Sequence, residues 1–561
     1  MSSTSNIFPL PPSVDHSDEW RSSNSLEMLE RLNEIGIALS AERDTRSLLQ
    51  RILDEAQSII SADGATVYLK KDKTLIFEIL RTYSLRLNVG GVGEPAIDLP
   101  PIELCDGHGN CNDRTVVAYS ANHKVSINIC DAYDEEGFDF NGTKQFDKEM
   151  NYRSVSFLAV PLLDNNNDVI GVIQLINKLL PDGTVYQFTH QDQRLLESLA
   201  SQAAVAVRNA QLMEQQKQLF EAFIELIASA IDEKSPYTGG HCRRVPELTM
   251  MFANKVSDTH LGRMADFRLN EQEYYALKIA AWLHDCGKIT TPEYVVDKAT
   301  KLETIFDRIQ LLETRAEVLK RDLEIERLQR LLDHYRGEQR DEAVEHAAQQ
   351  QLDAQLRLLD DDKQFLRDSN RGGEWMSDEA IERVQHIATM RSWGAPGGSR
   401  EPFLSDNEVY NLSIRRGTLT QEERAIINHH IEASIRMLET LPFPEHLRMV
   451  PEYAGGHHER MDGKGYPRGL KRDQMSIPAR MMAIADIFEA LTAADRPYKS
   501  AKPLSEALSI LGRMKQDGHI DPDLFDAFIQ ERVYLDYADR YLDEKQRDIT
   551  EPEQIPGFPF D

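Results

Sequence analysis

The sequence predicts a multidomain protein: an α+β domain first, then a long connecting helix, then an all-α domain carrying a helical-hairpin insertion. Three observations predict it. A chain of 561 residues exceeds what one hydrophobic core supports. Strand-like runs cluster before residue 180, and helical periodicity prevails from Ser235 onward. Between them, Gln191 to Ile231 contains neither Gly nor Pro.

Residues 1–24, rich in Ser, Pro and Asp, read as a loose lead-in. A helical pattern follows in LEMLERLNEIGIALSAERDTRSLLQRILDEAQSIIS. Strand signals then appear in ATVYLKK, LIFEILRTYS, SFLAVPLL and VIGVIQLINK, the last two joined by an Asp164–Asp168 hairpin loop. Together these form an α+β domain of sensor size over 25–212. The connecting helix, 191–231, would run about 60 Å. It reads as a connecting rod or, because apolar positions persist along it, as a parallel two-stranded coil that makes a homodimer. The helical domain spans 220–545 and ends in a tail, 546–561. Within it, 300–415 is charged, amphipathic and poor in aromatics, which predicts an antiparallel helical hairpin serving as a solvated structural insertion.

Hydrophobic content of 41% and charged content of 28% suit a globular protein. A formal charge of −29 excludes nucleic acid polymers and anionic membranes as whole-surface partners. A small anion is accommodated only where metal or clustered Lys and Arg reverse the field. The first residues lack a secretory signal, and the longest apolar runs, such as Val169–Ile173, are too short to span a bilayer. Five scattered cysteines predict a reducing, cytoplasmic setting.

Candidate chemistry gathers in the carboxy-terminal half. His241 lies in GGHCRRV, His284 and Asp285 end the apolar helix YYALKIAAWLHDCGK, and His429 lies in INHH. His457 and His458 open HHERMDGKGYP, and Asp486 sits within ARMMAIADIFEAL. A carboxylate among such apolar neighbours must be paired or bind metal. Imidazole and carboxylate without thiolate suit iron, manganese or zinc. Asp285 could bridge two ions, a pair that activates water for in-line displacement at phosphorus.

The HD pair followed by Gly287-Lys288, then HHERMDGKGYP and ADIFEALTAADRPYK, resembles the HD-GYP family of metal-dependent cyclic dinucleotide phosphodiesterases. The resemblance implies metal ligands at His241, His284, Asp285, His429, His457, His458 and Asp486, holding two divalent ions, iron or manganese. It implies Asp285 and Lys288 as catalytic, Lys288 stabilising charge or protonating the leaving oxygen. Arg496 and Lys499 would grip substrate phosphate, with Tyr466 beside the substrate or packing the loop. His430, next to His429, stands where the family has proline. Tyr237 replaces the glutamate that holds a third ion in some members. The implied reaction is hydrolysis of cyclic di-GMP to linear pGpG and onward to GMP. Cyclic GMP-AMP as substrate and a non-hydrolytic signalling adaptor are the alternatives. A GGDEF-type partner docking through the GYP loop is a further expectation.

The domain over 25–212 resembles a GAF sensor domain that binds a small molecule. Asn177, Lys178, Phe188 and Asp192 match much of the NKxnFxxxDE pattern of cyclic-nucleotide-binding GAF domains, with Gln193 replacing the last glutamate. They are candidate ligand contacts, or else a strand end and a helix cap. CDGHGNCND, with Cys105, His108 and Cys111, reads as a glycine-rich loop rather than a metal site.

Overall fold

Alternating apolar residues place the first unit on both faces of one antiparallel sheet. The structure, a computed structural model, describes residues 34–38, 42, 44–234, 240–259, 262–336, 340–373, 375–494, 501–548 and 555–558. It divides into Met1–Leu219 and Phe220–Asp561. The lead-in, part of the tail, Tyr237, Arg496 and Lys499 lie outside the described residues.

In the first unit, strands β1 (Ala62–Lys71), β2 (Thr74–Thr82), β3 (Leu87–Val89), β4 (Ile102–Glu103), β5 (Ile127–Ile129), β6 (Phe157–Leu163), β7 (Val169–Leu179) and β8 (Val185–Tyr186) form one sheet. Its order is β3-β2-β1-β7-β6-β5, with β4 on β2 and β8 on β7. Successive residues point to opposite faces. Leu158, Val160, Ile173 and Leu175 pack on one side with Leu48, Ile52, Leu196 and Ala203 from the two flanking helices. Phe157, Ala159 and Val172 pack on the other with Leu104, Val117 and Ile129. The helix Thr45–Ile60 starts where the Asp44 carboxylate accepts the Ser47 N–H at 2.7 Å. The Asp164–Asp168 turn closes as expected, Asp164 Oδ1 accepting the N–H groups of Asn166 and Asp168 at 2.9 and 2.8 Å. The helix Asn141–Met150 is short and buries only Asp147, its apolar Phe146 and Met150 being exposed, so no core-facing signal marks it in the sequence.

A single helix, His190–Lys234, runs across the division of the chain. Its early turns serve the first core, while Ile224, Ala228 and Ile231 enter the core of the second unit. That second core is helical throughout, centred on Phe252, Leu277, Met481, Phe488 and Phe528.

The insertion departs from a plain hairpin. Helices Ile309–His334 and Glu342–Asn370 do pair antiparallel, with Lys320 on Asp360 at 2.7 Å and Lys363 on Glu317 at 3.4 Å. A further helix Asp378–Met390, the two-stranded ribbon Ser392–Gly394 with Arg400–Pro402, and helix Asp406–Leu412 pack on them. They share a core of Leu302, Leu312, Leu359, Leu366, Val384, Phe403 and Leu412. A solvated hairpin has no such core, so this insertion folds around its own interior. At its base Lys298 donates to both Glu423 oxygens, at 2.9 and 2.7 Å.

Candidate metal centre

Five chain segments bring ligand atoms to one place. Gly240, in the left-handed conformation, turns the chain so that His241 opens the helix His241–Asp258. The helix Glu271–Leu283 ends at His284, and Asp285 precedes the tight turn Cys286–Thr290. His430 projects from Gln421–Glu439, His457 and His458 follow Val450–Gly455, and Asp486 lies in Ile477–Thr492.

Two glycines make the convergence sterically feasible. A Cβ on Gly287 would lie 2.0 Å from the His430 carbonyl oxygen and 2.6 Å from the Ser434 nitrogen. Its absence lets the His430 helix rest on the HD turn, where the Gly287 N–H donates to Ser434 Oγ at 2.8 Å. A Cβ on Gly465 would meet Arg460 N at 2.4 Å, so the GYP loop folds directly onto HHER. Buried Glu459 holds that loop by accepting the N–H groups of Arg468 and Leu470, at 2.7 and 2.9 Å.

Four of the rings are oriented through their Nδ1 atoms. His284 Nδ1 donates to the Ala281 carbonyl at 2.7 Å, His457 Nδ1 to that of Ala454 at 2.5 Å, and His430 Nδ1 to that of Ile427. His241 differs: its Nδ1 meets Glu489 Oε2 at 2.5 Å, and Arg244 Nε donates to the other Glu489 oxygen at 2.7 Å. The Nε2 atoms therefore face inward. Asp285 Oδ2 lies 3.3 Å from His241 Nε2 and 3.2 Å from His284 Nε2, whereas Oδ1 lies 3.2 Å from His430 Nε2. Asp486 Oδ1 stands 3.3 Å from His241 Nε2.

Two ligand-rich groups result, His241–His284–Asp285 and His430–His457–His458. Ligands at right angles on one ion, each about 2.1 Å away, lie about 3 Å apart, which is the spacing seen around Asp285. His284 Nε2, Asp285 Oδ1, His430 Nε2 and His457 Nε2 are buried with no hydrogen-bond partner among the described residues. Orphaned buried acceptors are costly without a cation, so these residues fit bound metal.

The electrostatics agree. Burial together with neighbouring His458 and His284 pushes His457 well below the usual imidazole range, and burial takes His458 to about 4. Both rings keep the lone pair that coordination needs. Burial opposes ionisation of Asp285, yet Lys288, His284 and His241 hold its carboxyl well below the usual carboxylate range. Glu489 behaves alike: burial opposes its charge, and His241 and Arg244 bring it to about 2.

The structure corrects one ligand assignment. His429 faces outward with its ring 50% exposed and paired with Glu432 at 2.7 Å, while the His430 ring is 4% exposed and faces Asp285. Adjacent helix positions point about 100° apart, so only one of the pair can face inward. Lys288 contacts Asp285 Oδ2, and Tyr466 stacks on His458 at a centroid distance of 4.9 Å. A cavity of about 410 Å³ adjoins the group, lined by His457, His458, Tyr466, Asp486, Arg460 and His519 among others. Arg460 and Lys464 stand in the HHERMDGKGYP string and were readable there as cations; His519, distant in sequence, carried no such signal. Glu489 had one, since it lies three positions after Asp486 on the same apolar helix.

The sensor motif is spent internally. Lys178 Nζ donates to Asp192 Oδ1 at 2.8 Å, and Asp192 Oδ2 accepts the Thr189 N–H at 2.8 Å. Asn177 Oδ1 accepts the Val155 N–H, its Nδ2 donates to Arg153 O, and Phe188 is buried in the core. These contacts are those of a strand end and a helix cap, with Phe188 packed in the core beside them.

Residues 44–207 match the family model described as GAF domain, and 406–524 match the one described as HD domain. The HD match takes in His430, His457, His458 and Asp486 and begins after His241, His284 and Asp285. A "3'3'-cGAMP-specific phosphodiesterase 1" of Vibrio cholerae is 40% identical over 114 residues, which is 20% of this chain and 26% of that protein. A "Cyclic di-GMP phosphodiesterase" of Thermotoga maritima is 37% identical over 179 residues, 31% of this chain and 44% of that protein. The chain thus spans less than half the length of either relative. No helix among the described residues is long and apolar enough to cross a membrane. Residues 44–207 are thus a GAF domain and residues 406–524 an HD domain, the latter containing the HHERMDGKGYP string.

Proposed function

We propose that the chain is a metal-dependent cyclic dinucleotide phosphodiesterase with cyclic di-GMP as substrate, regulated by its GAF domain. The observation that carries this reading is the Asp285 carboxylate, one oxygen facing His241 and His284 and the other facing His430. Two divalent ions, iron or manganese, suit these nitrogen and oxygen donors, and Tyr237 offers no carboxylate for a third. Such ions, when bound, activate water and neutralise phosphoryl oxygens.

The chain's own residues do the rest. The Asp285, His430 and Asp486 side chains orient the ligand set. Burial disfavours the Lys288 ammonium, but Asp285 raises its pKa above the usual lysine value, so it stays charged and can pass a proton to the departing ribose oxygen. Arg460 and Lys464 line the cavity as cations for the substrate phosphates, a role we extend to Arg496 and Lys499. Tyr466, stacked on His458, offers a ring face at the cavity wall. Water adds to phosphorus, the ribose oxygen leaves with a proton, and the ring opens to a linear dinucleotide.

A second reading, cyclic GMP-AMP as substrate, is favoured by the 40% identity to the relative bearing that name. Purified full-length protein loaded with manganese or iron should be given both cyclic dinucleotides and the linear product followed. Faster opening of cyclic di-GMP supports the first reading, and faster opening of the mixed ring supports the second. Binding without turnover at confirmed metal occupancy would leave a non-hydrolytic adaptor.

The dimer is also proposed. Val205, Leu212, Leu219 and Leu226 recur every seven residues on the connecting helix and are 36%, 47%, 58% and 63% exposed. This spacing suits the seam of a parallel coil with a second copy.

A further inference from the structure

The last turn of the connecting helix is fastened to both sides of the ligand group. The Asp232 carboxylate accepts the Gly240 N–H at 3.1 Å and the Cys242 N–H at 3.3 Å, the residues that flank His241. Two positions later, Lys234 Nζ donates to the carbonyl oxygens of Lys288 at 3.1 Å, Ile289, and Thr291 at 2.6 Å. An ammonium has three donors, and here all three are spent on the turn that follows Asp285. The helix end itself is anchored, because Ile224, Ala228 and Ile231 lie in the helical core.

One helical turn therefore grips two segments of the ligand group. Its two side chains hold the start of the His241 helix and the HD turn. Between those segments lies the 3.3 Å approach of His241 Nε2 to Asp285 Oδ2. Metal ligation tolerates only about ±0.2 Å in its distances. Signalling helices shift by about 1–2 Å, several times that tolerance.

We infer that Asp232 and Lys234 are positioning residues that couple the end of the connecting helix to the metal centre, so that a shift of the helix changes metal affinity and turnover together. The inference rests on the metal-centre reading above. It is independent of which cyclic dinucleotide is cleaved.

The test measures Mn²⁺ affinity of the full-length protein by calorimetry, alongside kcat and KM, for Lys234→Met, Lys234→Arg and Asp232→Asn. Lys278→Met serves as control. It removes a different fastening of the same helix, the 2.8 Å Lys278–Glu221 ion pair, without touching either gripped segment. Lys234→Met and Asp232→Asn should each weaken Mn²⁺ binding about tenfold or more. Excess Mn²⁺ should restore much of the lost kcat with KM little changed. Lys234→Arg should recover part of the affinity, and Lys278→Met should bind as wild type. Wild-type Mn²⁺ affinity in both Lys234→Met and Asp232→Asn would overturn the coupling, as would an equal loss in Lys278→Met. Failure of the wild type to cleave cyclic dinucleotides while still binding Mn²⁺ would remove the substrate reading and leave this one standing.

Discussion

Among the described residues, Glu489 is the carboxylate behind a candidate ligand ring, that of His241; His284, His430 and His457 lean on backbone carbonyls three residues earlier. Burial disfavours a charged His241 ring, but Glu489, Asp285 and Asp486 raise its pKa well above the usual imidazole value. Metal would take the place of the proton on Nε2 while Nδ1 kept its bond to Glu489. Glu489→Gln preserves shape and removes charge. It should lower metal affinity about 10–100-fold, and calorimetric titration with Mn²⁺ checks it; unchanged affinity would deny Glu489 any part in orienting His241. At this scale, the histidines and Asp486 could be picked from the chain because buried imidazoles and carboxylates need partners. The choice between His429 and His430 could not, since it turns on the rotation of one helix.

Among the elements, helix Gln421–Glu439 has the narrowest tolerance, because its backbone lies on Gly287. Gly287→Ala puts a methyl where the His430 carbonyl and Ser434 nitrogen sit, and overpacking of this kind costs about 1–3 kcal/mol. The helix should retreat and carry His430 away from Asp285. The expected result is a lower unfolding midpoint together with loss of metal from the His430–His457–His458 group, read by metal analysis and denaturant titration. A variant with wild-type metal content would show that the close approach is dispensable.

The insertion offers a second test at this scale. Buried Lys301 donates to the Leu412 carbonyl at 3.0 Å, and burial lowers its pKa from 10.5 to about 8. Between about 8 and 10.5 the unfolded state binds more protons than the folded one, so stability rises with pH across that window. The penalty is fully present below about pH 8 and amounts to about 3 kcal/mol. Lys301→Met lacks this titration. Relative to that variant, the wild-type insertion should gain about 3 kcal/mol between pH 8 and 10.5, measured by hydrogen exchange in helix Glu342–Asn370. A constant difference across the window would contradict the assignment.

For the whole molecule, the proposed dimer rests on the exposed heptad of His190–Lys234. Replacing Leu212 and Leu219 with Glu puts like charges into the seam, and the sedimenting mass should fall from twice 64.0 kDa to that of one chain. A wild type that already sediments as one chain would remove the coil.

Period and spacing alone determined the α+β unit, the long helix and the helical unit, because side-chain alternation and helical repeat are local properties of the chain. The motif strings likewise pointed to the candidate metal ligands, apart from the choice between His429 and His430. Only the folded structure decided that Asp285 divides its oxygens between two histidine groups, that His430 turns inward, that the sensor-motif residues clasp one another, and that 300–415 has its own core. These depend on which faces meet across large sequence separations, through contacts such as Gly287 on His430 and Lys234 on the HD turn. Local pattern carries no record of such pairings, because packing complementarity exists only once both surfaces are in place.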